Sequence, residues 1–441
     1  MEYFSSTAWI RRFLTIGFAL LVIVPLAACG GSATSTGSTT TTGPVKLSFW
    51  SWVPGIDKSV AAFNKSHPNI QVTLSNVGSG PTEYDKLFTA IKAKNEPDLA
   101  QVEFQLLPTF ETTGSLVDMS KYGAGSVQSQ FVPWTWSQVT LGSSIYAIPQ
   151  DSGPMAMYYR TDIFKKYNLP VPTTWAQYAS DAAKLHAANP NEYITDFPPK
   201  EAGWFAGLIW QAGGQLSSIN GQSWHETINS PQAQQVATYW QSMLSNKLVK
   251  TEPDFTNGWY NDLQTGAVAT WISAVWGAGT ISANAPKSSG NWAVAPIPQW
   301  QAGQTADGNW GGSTTVAFTN TKYPQQATEF ATWLNTNLGS VNDMIQGASI
   351  YPASQVADSS SSLLTGTQAF YGNQAVFDVF KTASAQVNVN FQWGPTINQV
   401  YTDMGDNFAN VVNGQGTLSS ALDQTQQQTV TFMKSQGFSV N

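Results

Sequence analysis

Charge, cysteine and histidine are all scarce in this chain. Only 11% of its 441 residues are Asp, Glu, Lys or Arg, where a soluble globular chain carries roughly a quarter. The net charge is −7, so the broad basic face that nucleic acid or an anionic membrane surface requires is missing and no nucleic-acid partner is expected. One cysteine, Cys29, excludes an internal disulfide and a cysteine-based zinc site. His67, His186 and His225 are scattered and polar-flanked. No two of them share a helix face at metal-ligand spacing, and His225-Glu226 does not begin an HExxH, so no metal is expected. A GxxxxGKS/T phosphate loop and a GxSxG nucleophile elbow are also missing, and no cofactor is expected.

What is there compensates in kind. Hydrophobic residues make up 42% of the chain and tryptophan occurs 18 times, so packed cores are affordable and the length favours two or three domains. Solubility must come from Ser, Thr, Asn, Gln and Gly. This is the composition of a polar, weakly charged, aromatic-rich protein working outside the cytoplasm.

The single thiol has a telling position. Arg11 and Arg12 precede the apolar run FLTIGFALLVIVPL, Phe13 to Leu26, which is shorter than the ~20 residues of a membrane-spanning helix and fits the core of a secretory signal. Leu26-Ala27-Ala28-Cys29-Gly30 follows, and it resembles the bacterial lipobox, whose cysteine is lipidated and becomes the first residue of the mature chain. Two acyl chains at one point suffice for stable anchoring where one is marginal. The stretch GGSATSTGSTTTTGP then has nothing large and apolar with which to build a core. We therefore expect a lipoprotein signal peptide over 1–28, a flexible tether over 29–44, lipidation at Cys29, and a membrane-anchored protein facing outside.

Downstream, VKLSFWSW (45–52), NIQVTLSNV (69–77) and LAQVEF (99–104) read as strands. Helices lie between them, DKSVAAFNKSH stopped by Pro68 and TEYDKLFTAIKAKN with Thr82 as N-cap and Asp85 at N3. Strand and helix alternate, which implies mostly parallel sheets flanked by helices. Thr174 with Gln177, Pro231 and Pro324 mark later helix starts, and Leu418 to Met433 reads as the last helix. With no solenoid repeat and no second linker, two α/β lobes with several chain crossings are expected.

Aromatic and amide residues collect at predicted strand ends and loops: Trp50 and Trp52, Glu103 and Gln105, Gln150-Asp151, Trp204, Trp276, and Trp310 before Gly311-Gly312. Open α/β sheets bind ligands at the carboxyl ends of their strands. A sugar ring offers an apolar C–H face to an aromatic ring and a rim of hydroxyls to Asp, Glu, Asn and Gln. Cations are few in these segments, which argues against a phosphate or carboxylate ligand. Strand alternation assigns Trp52 rather than Trp50 to the cleft, and one of Tyr158 and Tyr159 to the core. Trp175, Trp240 and Trp333 lie on helix faces and are expected in the core. Glu103, Asp151 and Glu226 would be the acids of an anchored extracellular glycoside hydrolase, the competing reading.

Several stretches together carry a family resemblance. They are IYAIPQDSGPMAMYYRTDIFKKYNLPVPTTWAQYASDAAKL (145–185), EYDKLFTAIKAKNEPDLAQV (83–102), TGAVATWISAVWGAG (265–279), WAVAPIPQW with NWGGSTTVAFTNT (292–321), YPASQ (351–355) and VVNGQGTLSSALDQTQQQ (411–428). In order and spacing they resemble the bacterial extracellular solute-binding proteins of sugar-import ABC transporters, the maltodextrin-binding type. The resemblance implies a two-lobed periplasmic-binding-protein fold (type II), α/β in each lobe, with the ligand between lobes. Residues 45–149 and 299–338 would form the N-terminal lobe, and 150–298 and 339–441 the C-terminal lobe. The crossings would fall at Ile148-Pro149, at Pro296-Ile297-Pro298 and near residue 338. By position, the cleft would include Trp52, Glu103, Gln105, Asp151, Trp204, Trp276, Trp310 and Gly312. The implied activity is binding rather than catalysis: a monomer that closes on a carbohydrate ligand and presents it to ABC transporter permease subunits. A receptor of the same fold for a polyol or glycerol phosphodiester is the remaining alternative.

Overall fold

The computed structural model describes residues 43–357 and 360–441. The signal segment, Cys29 and the tether as far as Thr42 lie outside the described residues.

Period-two alternation buries Leu47 and Phe49 of the first strand, β1 (Val45–Trp50), and leaves Lys46 in solvent. β2 (Ile70–Ser75) runs parallel to β1 from Val45↔Ile70 to Trp50↔Ser75, and β3 (Leu99–Glu103) joins its other side in parallel, Phe49↔Leu99. The parallel crossovers are helices. Ile56–Ser66 buries Ile56, Val60 and Phe63 at one-turn spacing. Pro81–Ala93 is capped two residues earlier than the sequence suggested. Gly80, at φ 51°, is its N-cap and Pro81 occupies N1, where a missing N–H costs nothing, so Thr82 is inside the helix rather than capping it.

The chain then reaches a second sheet through β4 (Ala147–Pro149) and the two-residue β5 (Asp151–Ser152). In that sheet β6 (Met155–Arg160) is central, and β7 (Thr270–Ala274) and β8 (Trp292–Pro296) both pair with it antiparallel. β9 (Ser313–Ala317) returns to the first sheet, inserted antiparallel between β3 and β4, so the first sheet has the order β2-β1-β3-β9-β4. The expected parallel arrangement therefore holds for β2-β1-β3 and not for the second sheet. There β6 leads away from the first sheet while β8 leads back towards it, and two such strands side by side must run in opposite senses.

The chain passes between the sheets a third time later than expected. Helix Pro324–Thr336 packs on the first sheet, and helix Leu338–Ala348 still packs on helix Ile56–Ser66. Ser59 Oγ donates to Ser340 O at 3.2 Å, and a Cβ on Gly347 would lie 2.3 Å from Pro54 O. The crossing comes at β10 (Tyr351–Pro352), which pairs with β5 between the sheets.

Local signals elsewhere act as read. Thr174 and Gln177 form a reciprocal capping box, and Pro231 and Pro324 open their helices. Tyr158 is fully buried and Tyr159 half-buried. Trp175 and Trp240 are in the core, whereas Trp333 is half-buried, edge-on to Phe63 at 5.3 Å. The last helix, Leu418–Ser435, lies along Ile397–Val412.

Candidate functional site

The site begins where β3 ends. Glu103, half-buried, accepts a hydrogen bond at Oε2 from the Tyr84 hydroxyl at 2.8 Å. Below it, Phe104 N donates to Gly312 O at 3.2 Å, so the end of β3 is tied to the Gly311-Gly312 turn leading into β9. Both glycines have positive φ, 83° and 94°. A Cβ on Gly312 would sit 3.0 Å from Asp151 O and from the Phe104 ring, so the close approach requires glycine. Asp151, buried, accepts the Ser313 N–H at Oδ1 at 2.9 Å. Under this floor Gln101 accepts from Ser51 Oγ at 2.7 Å and donates to Ser313 Oγ at 2.9 Å, joining the residue after β1 to β3 and β9.

These acids are short of positive charge. Burial raises the Glu103 carboxyl above its ordinary value, against donors from Tyr84 and Gln105. Burial pushes Asp151 up to about 7, with the charge of Glu103 adding to it and the Ser313 N–H opposing. Trp52, half-buried, is edge-on to Tyr84 at 6.0 Å and closes this side.

The opposite side is aromatic. Trp276 and Trp310 meet edge-to-face at 4.7 Å, and Trp276 Nε1 donates to Trp310 O at 3.1 Å. Trp310 N donates in turn to Gly153 O at 2.8 Å, where a Cβ on Gly153 would come within 2.0 Å of Trp310 O. Phe255 adds a third ring, 6.2 Å from Trp276 and 6.4 Å from Trp310. Tyr401, on helix Ile397–Val412, lies nearby: burial raises its phenol, and the charges of Glu103 and Glu201 raise it further. Gly203 makes room there, since a Cβ on it would lie 3.0 Å from Trp310 Nε1 and 3.5 Å from Tyr401 Cε2. Direct contacts link the two halves: Thr109 Oγ1 donates to Pro395 O at 2.9 Å, and Trp134 meets Trp210 edge-on at 5.5 Å.

Of the eight residues singled out in the sequence, seven lie in the two groups just described: Trp52, Glu103, Gln105, Asp151 and Gly312 around the end of β3, and Trp276 and Trp310 among the rings. Trp204 does not. It is 2% exposed, its Nε1 donates to Ile272 O at 3.0 Å, and its ring packs on Trp240 at 4.9 Å. Helix Ala202–Gln211 is buried along almost its whole length, so position 204 turns into the core and Gly203 is the residue beside Trp310. Tyr84, Glu201, Phe255 and Tyr401 neighbour these residues and were not singled out in the sequence. Glu201 had a signal, as an acid just before an apolar helix. Tyr84 and Tyr401 are ordinary members of helical apolar stripes, and Phe255 is placed by backbone geometry that its letter does not disclose.

Residues 50–337 match the family model of the bacterial extracellular solute-binding proteins. The chain belongs to that family. A putative binding protein of Brucella abortus is 26% identical over 283 residues, 62% of this chain, and the match spans 66% of that protein's own length. The lactose-binding protein of Rhizobium radiobacter is 24% identical over 399 residues, covering 84% of this chain and 89% of the relative. Among solved structures, the galacto-N-biose/lacto-N-biose I-binding protein of an ABC transporter from Bifidobacterium longum, in complex with lacto-N-biose, superposes with a TM-score of 0.81. It is 28% identical and covers 90% of this chain and 99% of its own. The fold of this family member is thus the two-lobed α/β binding-protein fold, and the family is one of binding proteins.

Proposed function

We propose that this protein is a lipid-anchored extracytoplasmic receptor that binds a sugar, in particular an oligosaccharide, between its lobes and delivers it to the permease of an ABC importer. The observation carrying this reading is the presence of two unlike groups of side chains: Glu103, Gln105 and Asp151 at strand ends of the first sheet, and Trp276, Trp310 and Phe255 packed ring to ring. The first suits hydroxyl pairs and the second a C–H ring face. The named ligands of the relatives, lactose and lacto-N-biose, make those two sugars the first probes. Glu103, Asp151 and Glu201, whose carboxyls burial raises, offer an anion no positive partner, which counts against a glycerol phosphodiester.

The test is a thermal-shift and calorimetric screen of the protein with lactose, lacto-N-biose, longer glycans, polyols and glycerol phosphodiesters. Stabilisation by mass action from glycans alone is the expected result. A response to a polyol or phosphodiester only would overturn the sugar assignment. Steady release of new reducing ends would replace the receptor with the glycoside hydrolase. Anchoring has its own test. Cys29→Ser is expected to block lipid labelling and to leave ligand binding intact. Labelling of the variant at the wild-type level would end the lipobox reading. For the lobes we propose the boundaries expected from the sequence at the first two crossings, with the third moved to residues 349–352 because helix Leu338–Ala348 packs on the first lobe.

A further inference from the structure

Between helices Val376–Gln386 and Ile397–Val412 the chain runs through NVNFQWGP, residues 388–395, which belong to no helix or strand. By the boundaries proposed above this segment is part of the second lobe, and it is held there by rings. Trp210, on the buried helix Ala202–Gln211, donates from Nε1 to Asn388 O at 2.8 Å, and its ring stacks on Phe391 at 4.0 Å with the planes 9° apart. Trp393 packs edge-on against Trp210 at 5.9 Å and against Phe391 at 4.6 Å. A Cβ on Gly394 would come within 3.3 Å of Ser217 Oγ and 3.4 Å of Glu226 Oε1, so the segment lies close upon the hairpin that carries them.

The same segment offers three other carbonyls to the first lobe. Ser137 Oγ donates to Val389 O at 3.0 Å and Gln138 Nε2 to Phe391 O at 2.7 Å, beside the bond from Thr109 to Pro395 O. Trp134 comes across with them. Its buried ring is tilted against Phe104 of its own lobe at 5.9 Å and edge-on to Trp210 of the other at 5.5 Å. Separating the lobes would break all three bonds and wet Trp134, so these contacts favour the closed arrangement. An opposing cost is built in. Among the described residues the indole N–H groups of Trp134 and Trp393 are buried without an acceptor, and opening would return them to water. Contacts balanced in this way hold two lobes reversibly. Trp393 also reaches towards the candidate site, edge-on to Tyr401 at 6.4 Å.

We propose that residues 388–395 are a latch that holds the lobes together before a ligand arrives, and that Thr109, Trp134, Ser137 and Gln138 are positioning residues that set ligand affinity without touching the ligand. The latch rests on the proposed lobe boundaries. Its effect on affinity rests also on the reading of the protein as a sugar receptor. A ligand that binds the closed arrangement loses apparent affinity in proportion as that arrangement is depopulated.

The experiment is small-angle X-ray scattering of the full chain without ligand, with Cys29→Ser in every sample to exclude lipid. Thr109→Val, Ser137→Ala and Gln138→Ala together remove the three donors, and all three side chains are half-buried or exposed, so the core is untouched. The triple variant is expected to show a larger radius of gyration than its parent at unchanged far-UV circular dichroism. Lactose, as the calorimetric probe, should bind it about tenfold or more weakly. Should the triple variant fail to fold, Gln138→Glu alone, which sets a carboxylate against Phe391 O, carries the same expectation. A merely structural role would lower the melting temperature and leave the radius where it was. An unchanged radius in the folded variant would overturn the proposal, and so would an enlarged radius with unchanged lactose affinity. A parent that binds no lactose would instead count against the sugar reading and leave the radius to decide the latch.

Discussion

The two walls of the cleft are held by different physics. The polar wall is fixed by backbone: Glu103 ends β3, Asp151 lies on β5, and both are locked through Gly312 and Ser313 to the start of β9. The aromatic wall is fixed by ring packing: Trp271 supports Trp276 at 5.7 Å, Trp276 meets Trp310 at 4.7 Å, and Phe255 leans on both. Strand hydrogen bonds set directions and suit a wall that must select hydroxyl positions. Ring contacts are non-directional by comparison and suit a wall that supplies affinity to any sugar face. If this division is right, substitutions in the two walls should fail differently.

The largest effect belongs to a residue behind the walls. Trp204→Ala should destabilise the fold by about 3–5 kcal/mol, the usual cost of truncating a buried tryptophan, while the protein that remains folded binds with nearly unchanged affinity. Denaturant unfolding beside calorimetry checks both. A selective loss of affinity without loss of stability would return Trp204 to the cleft. The next effect separates the polar wall by pH. Asp151 is raised to about 7 from an ordinary value near 3.8. Its contribution to stability is fully present below that ordinary value and lost as the pH rises through about 7, an upper bound of about 4 kcal/mol. Asp151→Asn, which can still accept from Ser313 N, should flatten the fall in melting temperature between acid and neutral pH. An unchanged slope would assign that fall to other buried acids. Smaller again, Trp276→Ala and Trp310→Ala should each weaken sugar binding by about 1 kcal/mol beyond the lost buried area, across many sugars alike. Glu103→Gln should instead change the ranking among sugars. If the tryptophan variants changed ranking and Glu103→Gln did not, the division of labour would be reversed.

How much of this was legible follows from the same distinction. Strand ends are marked by short-range pattern, so the places of Trp52, Glu103, Gln105 and Asp151 at or beside strand ends were readable, as was the Gly311-Gly312 turn from its doublet. The first sheet's parallel half was readable because strand, helix and strand follow one another in sequence. The antiparallel second sheet was not, because β6, β7 and β8 are distant in the chain and their directions depend on where the chain crosses. Tyr84 and Tyr401 were hidden because a tyrosine in a helical stripe has the same spacing whether it faces a core or a cleft. Trp204 was the opposite error: an aromatic residue near a predicted loop that proves to lie on a helix buried nearly all round, one residue past the position that meets the cleft.

That one-residue offset supplies the finest test. Gly203 faces Trp310 and Tyr401 with room for a hydrogen and little more, since a Cβ there falls 3.0 Å from Trp310 Nε1. Gly203→Ala places a methyl group on a helix, where replacing glycine gains up to about 1 kcal/mol of helix propensity, and presses it against the ring edge. The ring must give way by a few tenths of an ångström. Stability should therefore hold or rise slightly while sugar affinity falls by a few-fold, two opposite signs from one methyl group. Thermal unfolding and calorimetry on the same preparation read both. If affinity stayed constant while stability rose, the Trp310–Tyr401 gap would be outside the ligand's reach and the aromatic wall would end at Trp276. If both fell together, the ring edge would be too rigid to yield, and the wall would be fixed as firmly as the strand-built side facing it.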